Sequence, residues 1–233
     1  VIDKTSPEAL TVAGASAESG SAFSVLAAGD YLFAAGGEVD NHTFWIYDIT
    51  NPETPILLGE RAIYGRPYSM VRYGEYIYLA LEGTGVTIFD VSNPGAPLPV
   101  GFIVNSAKYI PLALSADMLY LGNDSSSDAV RGLHLYNLAG NPSDPVKTGF
   151  VTGSVYPLRR LATAHGFVFS ASSQSEGMQI FDVSDPYHPL HLVDVPSDVD
   201  AVPRDGFPED ARPSPSDVTV SVSYTHLTLP TKR

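Results

Sequence analysis

Two kinds of side chain in this sequence are placed to do chemistry: clustered oxygen donors and a few isolated cations. The oxygen donors sit in three stretches that break an otherwise regular pattern. Residues 36–43 hold Glu38, Asp40, Asn41 and His42. Residues 123–132 hold Asp124, Asp128 and Arg131, and residues 194–216 hold Asp198, Asp200, Asp205, Glu209 and Asp210. Carboxylates at this density suit calcium, a hard cation that takes oxygen ligands. None of the three shows the regular twelve-residue calcium spacing, and Pro196, Pro203, Pro208, Pro213 and Pro215 equally suit a solvated linker. No metal or cofactor is therefore assigned.

The cations are scarce: 13 Lys and Arg stand against 26 Asp and Glu, a net charge of −13. Arg66, Lys108, Arg159 and Arg160 each lie at or just before the start of a short apolar segment, with Tyr68, Tyr109 and Tyr156 beside them. Together they make a basic, aromatic-lined rim for a small anionic or sugar-like ligand or for a protein partner. Arg159 and Arg160 rank first, because adjacent guanidinium groups in an acidic chain set up a local positive field. The competing reading is that these cations simply pair with nearby acids. The histidines form no constellation. His188 and His191 point in different directions, and His134 shares a column with Trp45, Thr87 and Gln179 that reads as an exposed face. There is no nucleophile elbow, phosphate loop or paired-His motif. Cysteine is absent, which excludes disulfides and thiolate metal sites.

What must position these residues is a repeat. Ile88-Phe89-Asp90-Val91-Ser92-Asn93-Pro94 recurs as Ile46–Pro52 and Ile180–Pro186, clipped at Val1–Pro7, and with one inserted residue at Leu135–Pro142. Its Asp/Asn falls at positions 3, 48, 90, 137 and 182, so the steps are 45, 42, 47 and 45. Periods of that size mean a propeller or solenoid. Between anchors lie four short apolar segments punctuated by Gly, Pro and Asn, the pattern of a four-stranded blade. Four whole units are present, with part of one at residues 1–14 and the opening strand of another at 217–221. Aromatic columns (Phe33, Tyr78, Tyr120, Phe169, then Tyr47, Phe89, Tyr136, Phe181) supply cover between blades. The aspartate column reads as turn chemistry: Asp followed by Ser/Thr and Asn/Asp-Pro accepts its own downstream N–H groups.

This repeat resembles the LVIVD-repeat family of bacterial and archaeal propeller proteins, over about residues 1–221. The residues that carry the likeness are Val86–Pro94 with the later segment 97–101, and their equivalents. The resemblance implies an all-β propeller, a secreted or surface location, and no general catalytic motif. The Asn137 unit departs from the pattern at its turn.

The acidic balance argues against nucleic acid and anionic membrane surfaces, and no apolar run is long enough to span a bilayer. The chain starts inside a repeat, which reads as the cut edge of a longer protein. Residues 222–231 resemble the translated read-through of a sequencing-library adapter, so 222–233 are set aside as a foreign tail. The expected domain is thus a propeller fragment over 1–221, with exposed strand edges that favour self-association. Its first strands should be innermost, and its binding face should carry residues 36–43, 123–132 and the blade links. The expected function is a non-enzymatic interaction or ligand-binding scaffold. The alternative is a propeller hydrolase with a metal or activated water at the channel mouth. That alternative needs Glu38, Asp40, His42, Asp124, Asp128 and the 198–210 carboxylates to converge.

Overall fold

The structure is a computed structural model that describes residues 2–3, 11–12, 21–39, 41–108, 110–124, 131–153, 158–172 and 177–195. The expectations placed on Asp40, Tyr109, Asp128, Tyr156 and residues 196–233 lie outside the described residues. Every described element is a strand. A two-stranded ladder, β1 (Ile2–Asp3) with β2 (Thr11–Val12), comes first. The first blade is β3 (Ala22–Ala28), β4 (Tyr31–Glu38), β5 (Asn41–Asp48) and β6 (Ile56–Ile63). The second is β7 (Pro67–Tyr73), β8 (Tyr76–Leu81), β9 (Gly85–Asp90) and β10 (Leu98–Val104). The third is β11 (Leu112–Ser115), β12 (Met118–Asn123), β13 (Gly132–Asn137) and β14 (Val146–Thr152). The fourth is β15 (Leu158–Ala164), β16 (Phe167–Ser172), β17 (Met178–Asp182) and β18 (Leu190–Val195). Each blade is a four-stranded antiparallel meander in chain order. These are propeller blades, as the period of the anchor motif requires.

Successive blades stack face to face. Phe33, Phe44 and Ile46 of the first meet Met70, Ile77 and Phe89 of the second. Tyr78, Val86 and Ile88 then meet Ile110, Leu119 and Leu121. Tyr120, Leu133 and Leu135 meet Leu158, Val168 and Phe181. Burying each large apolar side chain in these layers contributes roughly 1.5–3 kcal/mol. Because both faces of a central strand are covered, β8 is buried along nearly its whole length, and its sequence shows no alternation. β3 packs beside β7, β7 beside β11 and β11 beside β15, so the first strand of each blade is innermost.

The anchor motif is a tandem of side-chain-capped turns. Asp48 accepts the N–H of Thr50 and Asn51 that of Glu53. Asp90 and Asn93 do the same for Ser92 and Gly95. Asn137 and Asn141 serve Ala139 and Ser143, and Asp182 and Asp185 serve Ser184 and Tyr187. Asn137 thus replaces the aspartate without loss of the turn, since the bond needs only an acceptor oxygen. These carboxylates are structural.

Two expectations need correction. Residues 36–43 are not a loop: β4 and β5 extend to pair Glu38 with Asn41, leaving a two-residue hairpin connection. The column of Trp45, His134 and Gln179 is buried, not an exposed face. His134 packs against Phe150 at 4.7 Å between ring centres, because the fourth strand of its own blade covers it.

Candidate functional site

The site is built on a defect shared by the inner strands. In β3, Ala22 pairs with Gly36 and Ser24 with Ala35, so Phe23 is left without a partner. In β7, Pro67 and Ser69 pair with Leu81 and Ala80, which skips Tyr68. In β15, Leu158 and Arg160 pair with Ser172 and Ala171, which skips Arg159. A bulge of this kind bends the strand and re-aims the extra side chain. The third-blade counterpart, Ile110, is buried and precedes the β11 ladder.

The bulges bring distant residues together. The Tyr68 hydroxyl donates to the Arg159 carbonyl at 2.8 Å, a bond from the second blade to the fourth. Arg160 Nη1 donates to the same carbonyl at 3.2 Å. The Arg160 guanidinium lies over the Tyr68 ring, 5.1 Å from its centre. Nearby in sequence, Arg66 lies over the Phe23 ring at 4.6 Å, and His42 flanks that ring at 5.9 Å. Two exposed arginines are therefore each stacked on an aromatic shelf, which holds the planar group; in Arg160 the Nη1 donor is spent on the Arg159 carbonyl, and stacking itself occupies none of the other N–H groups. Among the described residues neither Arg66 nor Arg160 has a carboxylate within ion-pair distance. Pairing with the described acids does not account for these two.

The other candidates fall differently. Tyr68 is at the site, but its hydroxyl and one ring face are already engaged within the protein. Lys108 is exposed, and its backbone N–H is held by Asp124 Oδ1 at 2.9 Å. Beside it, buried Asn105 accepts from Ala107 N–H and from Asn123 Nδ2, which fixes the link between the second and third blades. Asp124 thereby orders a link. Glu38, His42 and Asp124 do not form a metal-ligating group of three with one another or with any other described residue. Tyr109 and Tyr156 lie outside the described residues. Sequence reasoning missed Phe23 and weighed His42 only as a metal or catalytic candidate, not as a ring beside Phe23. The signal for Phe23 was present, since it occupies the column of Tyr68, one place before the aligned Ser24 and Ser69.

Residues 19–61 and 68–103 match the LVIVD repeat family. Those two segments carry LVIVD repeats. The matched segments cover most of the first two blades, including Phe23 and Tyr68. No curated protein matches the chain. Among solved structures it is similar to two computationally designed proteins. It covers 75% of its own length and 48% of Ika8, at 10% identity and a TM-score of 0.57. For Ika4 the figures are 71%, 93%, 12% and 0.54. The chain thus spans about half the length of Ika8. Likeness at such identities shows the fold alone.

Proposed function

We propose that the LVIVD chain is a rigid, non-enzymatic scaffold that binds an anionic group of a protein or saccharide ligand at the mouth of its central channel. The observation that carries this reading is Arg160: exposed, stacked on Tyr68, and without a carboxylate partner among the described residues of a strongly acidic protein. A guanidinium held flat in this way keeps the donors not bonded to the Arg159 carbonyl for an incoming oxyanion. Arg66 on Phe23 offers a second such donor. The anchor turns make a poor site by comparison, because they are alike from blade to blade. Binding residues tend to sit on segments that vary around a fixed frame. Family resemblance supports a secreted or surface-attached setting for this protein.

The test is a titration of the protein with sulfated and uronate oligosaccharides and with simple dicarboxylates, followed by calorimetry. Arg160→Ala, alone and with Arg159→Ala, should weaken binding about tenfold or more, the scale of losing a charged hydrogen bond, with little change in melting temperature. Unchanged affinity, or a loss produced instead by Asn93→Ala on the turn face, overturns the assignment.

A further inference from the structure

The joints between blades share a device. In the outermost strand of each blade one residue bulges: Leu58, Val100, Thr148 and Leu192 are skipped by the ladder. The residue that follows pairs with the same position of the third strand in every blade: Ile46 with Gly59, Ile88 with Gly101, Leu135 with Gly149, and Ile180 with Val193. The three glycines are notches. A Cβ on Gly59 would collide with the Pro94 carbonyl, on Gly101 with that of Ser143, and on Gly149 with that of Pro186. Each of those carbonyls belongs to the Asn/Asp-Pro turn of the following blade. The signature turn of this repeat is therefore a plug that enters the blade before it.

The fourth blade breaks the rule. Its notch position is Val193, which projects a branched side chain that is 45% exposed. The face around it is the one that packs on the following blade at the other joints, and it is only half covered. Phe169 and Ile180 are half-buried, whereas their equivalents Tyr78 and Ile88 are fully buried. We infer that the fourth blade is built to receive an apolar sheet face that lacks the Asn/Asp-Pro plug, so that the joint beyond it is of a different kind from the three before it. The face is continuous in register with three packed joints, which argues for a sheet as its occupant. Where even a Cβ would strike a backbone carbonyl, the two methyl groups of Val193 leave no place for a plug.

The experiment inserts a second copy of residues 64–104, a plug-bearing blade, after Val195 in the full chain and reads amide hydrogen exchange in the insert. With Val193 the inserted strands should exchange at least about tenfold faster than the native second blade, since undocked blades open locally. Val193→Gly should restore protection, and so should retaining Val193 while shortening the insert's plug, residues 92–97, to a two-residue turn. An insert equally protected on Val193 with its plug intact overturns the inference. An insert that stays unprotected on Val193 after its plug is trimmed overturns the proposed occupant. In the native chain, Gly101→Val should raise exchange in the third blade, and unchanged exchange there would show that the notches do not matter.

Discussion

Single residues in this protein do work that depends on one hydrogen bond or one backbone angle. Asp48 and Asp90 are held below the usual carboxylate range chiefly by the backbone N–H groups of Thr50 and Ser92. For Asp185 the His188 side chain comes first and the Tyr187 N–H second. A carboxyl whose folded value is depressed stabilises the fold fully above its ordinary value of 3.8 and loses that contribution as pH falls through the folded value. Melting temperature should therefore begin to fall once pH drops below about 4, a value that follows from the ordinary carboxylate range. Asp90→Asn should leave the neutral-pH melting temperature nearly unchanged, as Asn137 already does this work in the third blade. Asp90→Ala should lower it by several degrees; equal melting of the two variants would contradict the turn role. Ala116 is a second such position. It sits at φ 49° in the first hairpin of the third blade, where the first and second blades have Gly29 and Gly74. An L side chain in this region costs about 1–2 kcal/mol. After the greater chain entropy of glycine is subtracted, Ala116→Gly should stabilise by about 0.5–1 kcal/mol in denaturant titration.

At the scale of the element, the blade joint is what the anchor motif serves. The Tyr78 hydroxyl donates to the Pro142 carbonyl at 2.6 Å, so the second strand of one blade grips the plug of the next. Burial pushes that phenol above its ordinary value. Tyr78→Phe should cost about 0.5–1.5 kcal/mol, the net worth of a neutral hydrogen bond, and more if the carbonyl is stranded. Phe33 holds the same column in the first blade and manages without the bond, so the variant should remain folded. A loss above about 4 kcal/mol, which marks a different mechanism such as a cavity, would show that the ring itself has moved. Arg72 makes a comparable staple: it donates to the Ala28 carbonyl, lies over Phe33, and pairs with Glu75 at 3.6 Å.

At the scale of the whole molecule, the fourth blade presents half-covered Phe169, Met178 and Ile180 beside exposed Leu192 and Val193. Apolar patches of this kind, next to a strand edge that is unpaired among the described residues, favour association. The protein should therefore self-associate in the micromolar range in sedimentation, and Ile180→Lys should reduce the association without abolishing folding. A single sharp monomer peak across that range would mean that the face is covered.

The period of the anchor motif, the blade count over the described residues and the turn chemistry of Asp48, Asp90 and Asp182 were all legible in the sequence. They are local: hydrogen bonds two residues apart and strands joined by short turns leave their mark in neighbouring residue types. The placement of the cations was half legible. Arg66, Arg159 and Arg160 could be placed at the starts of inner strands by alignment, but no local rule put Tyr68 against Arg159, 91 residues away. Neither could the sequence show that 36–43 continue as paired strands, because strand length there is set by cross-strand bonds and not by composition. The buried column of Trp45, His134 and Gln179 was misread for a similar reason. Polar residues look exposed until the covering strand and the neighbouring blade are in place. The glycine notches are the clearest case of what tertiary structure alone decided. Gly59, Gly101 and Gly149 read in the sequence as ordinary strand glycines, and only the neighbouring blade's carbonyl shows why a side chain is excluded from each.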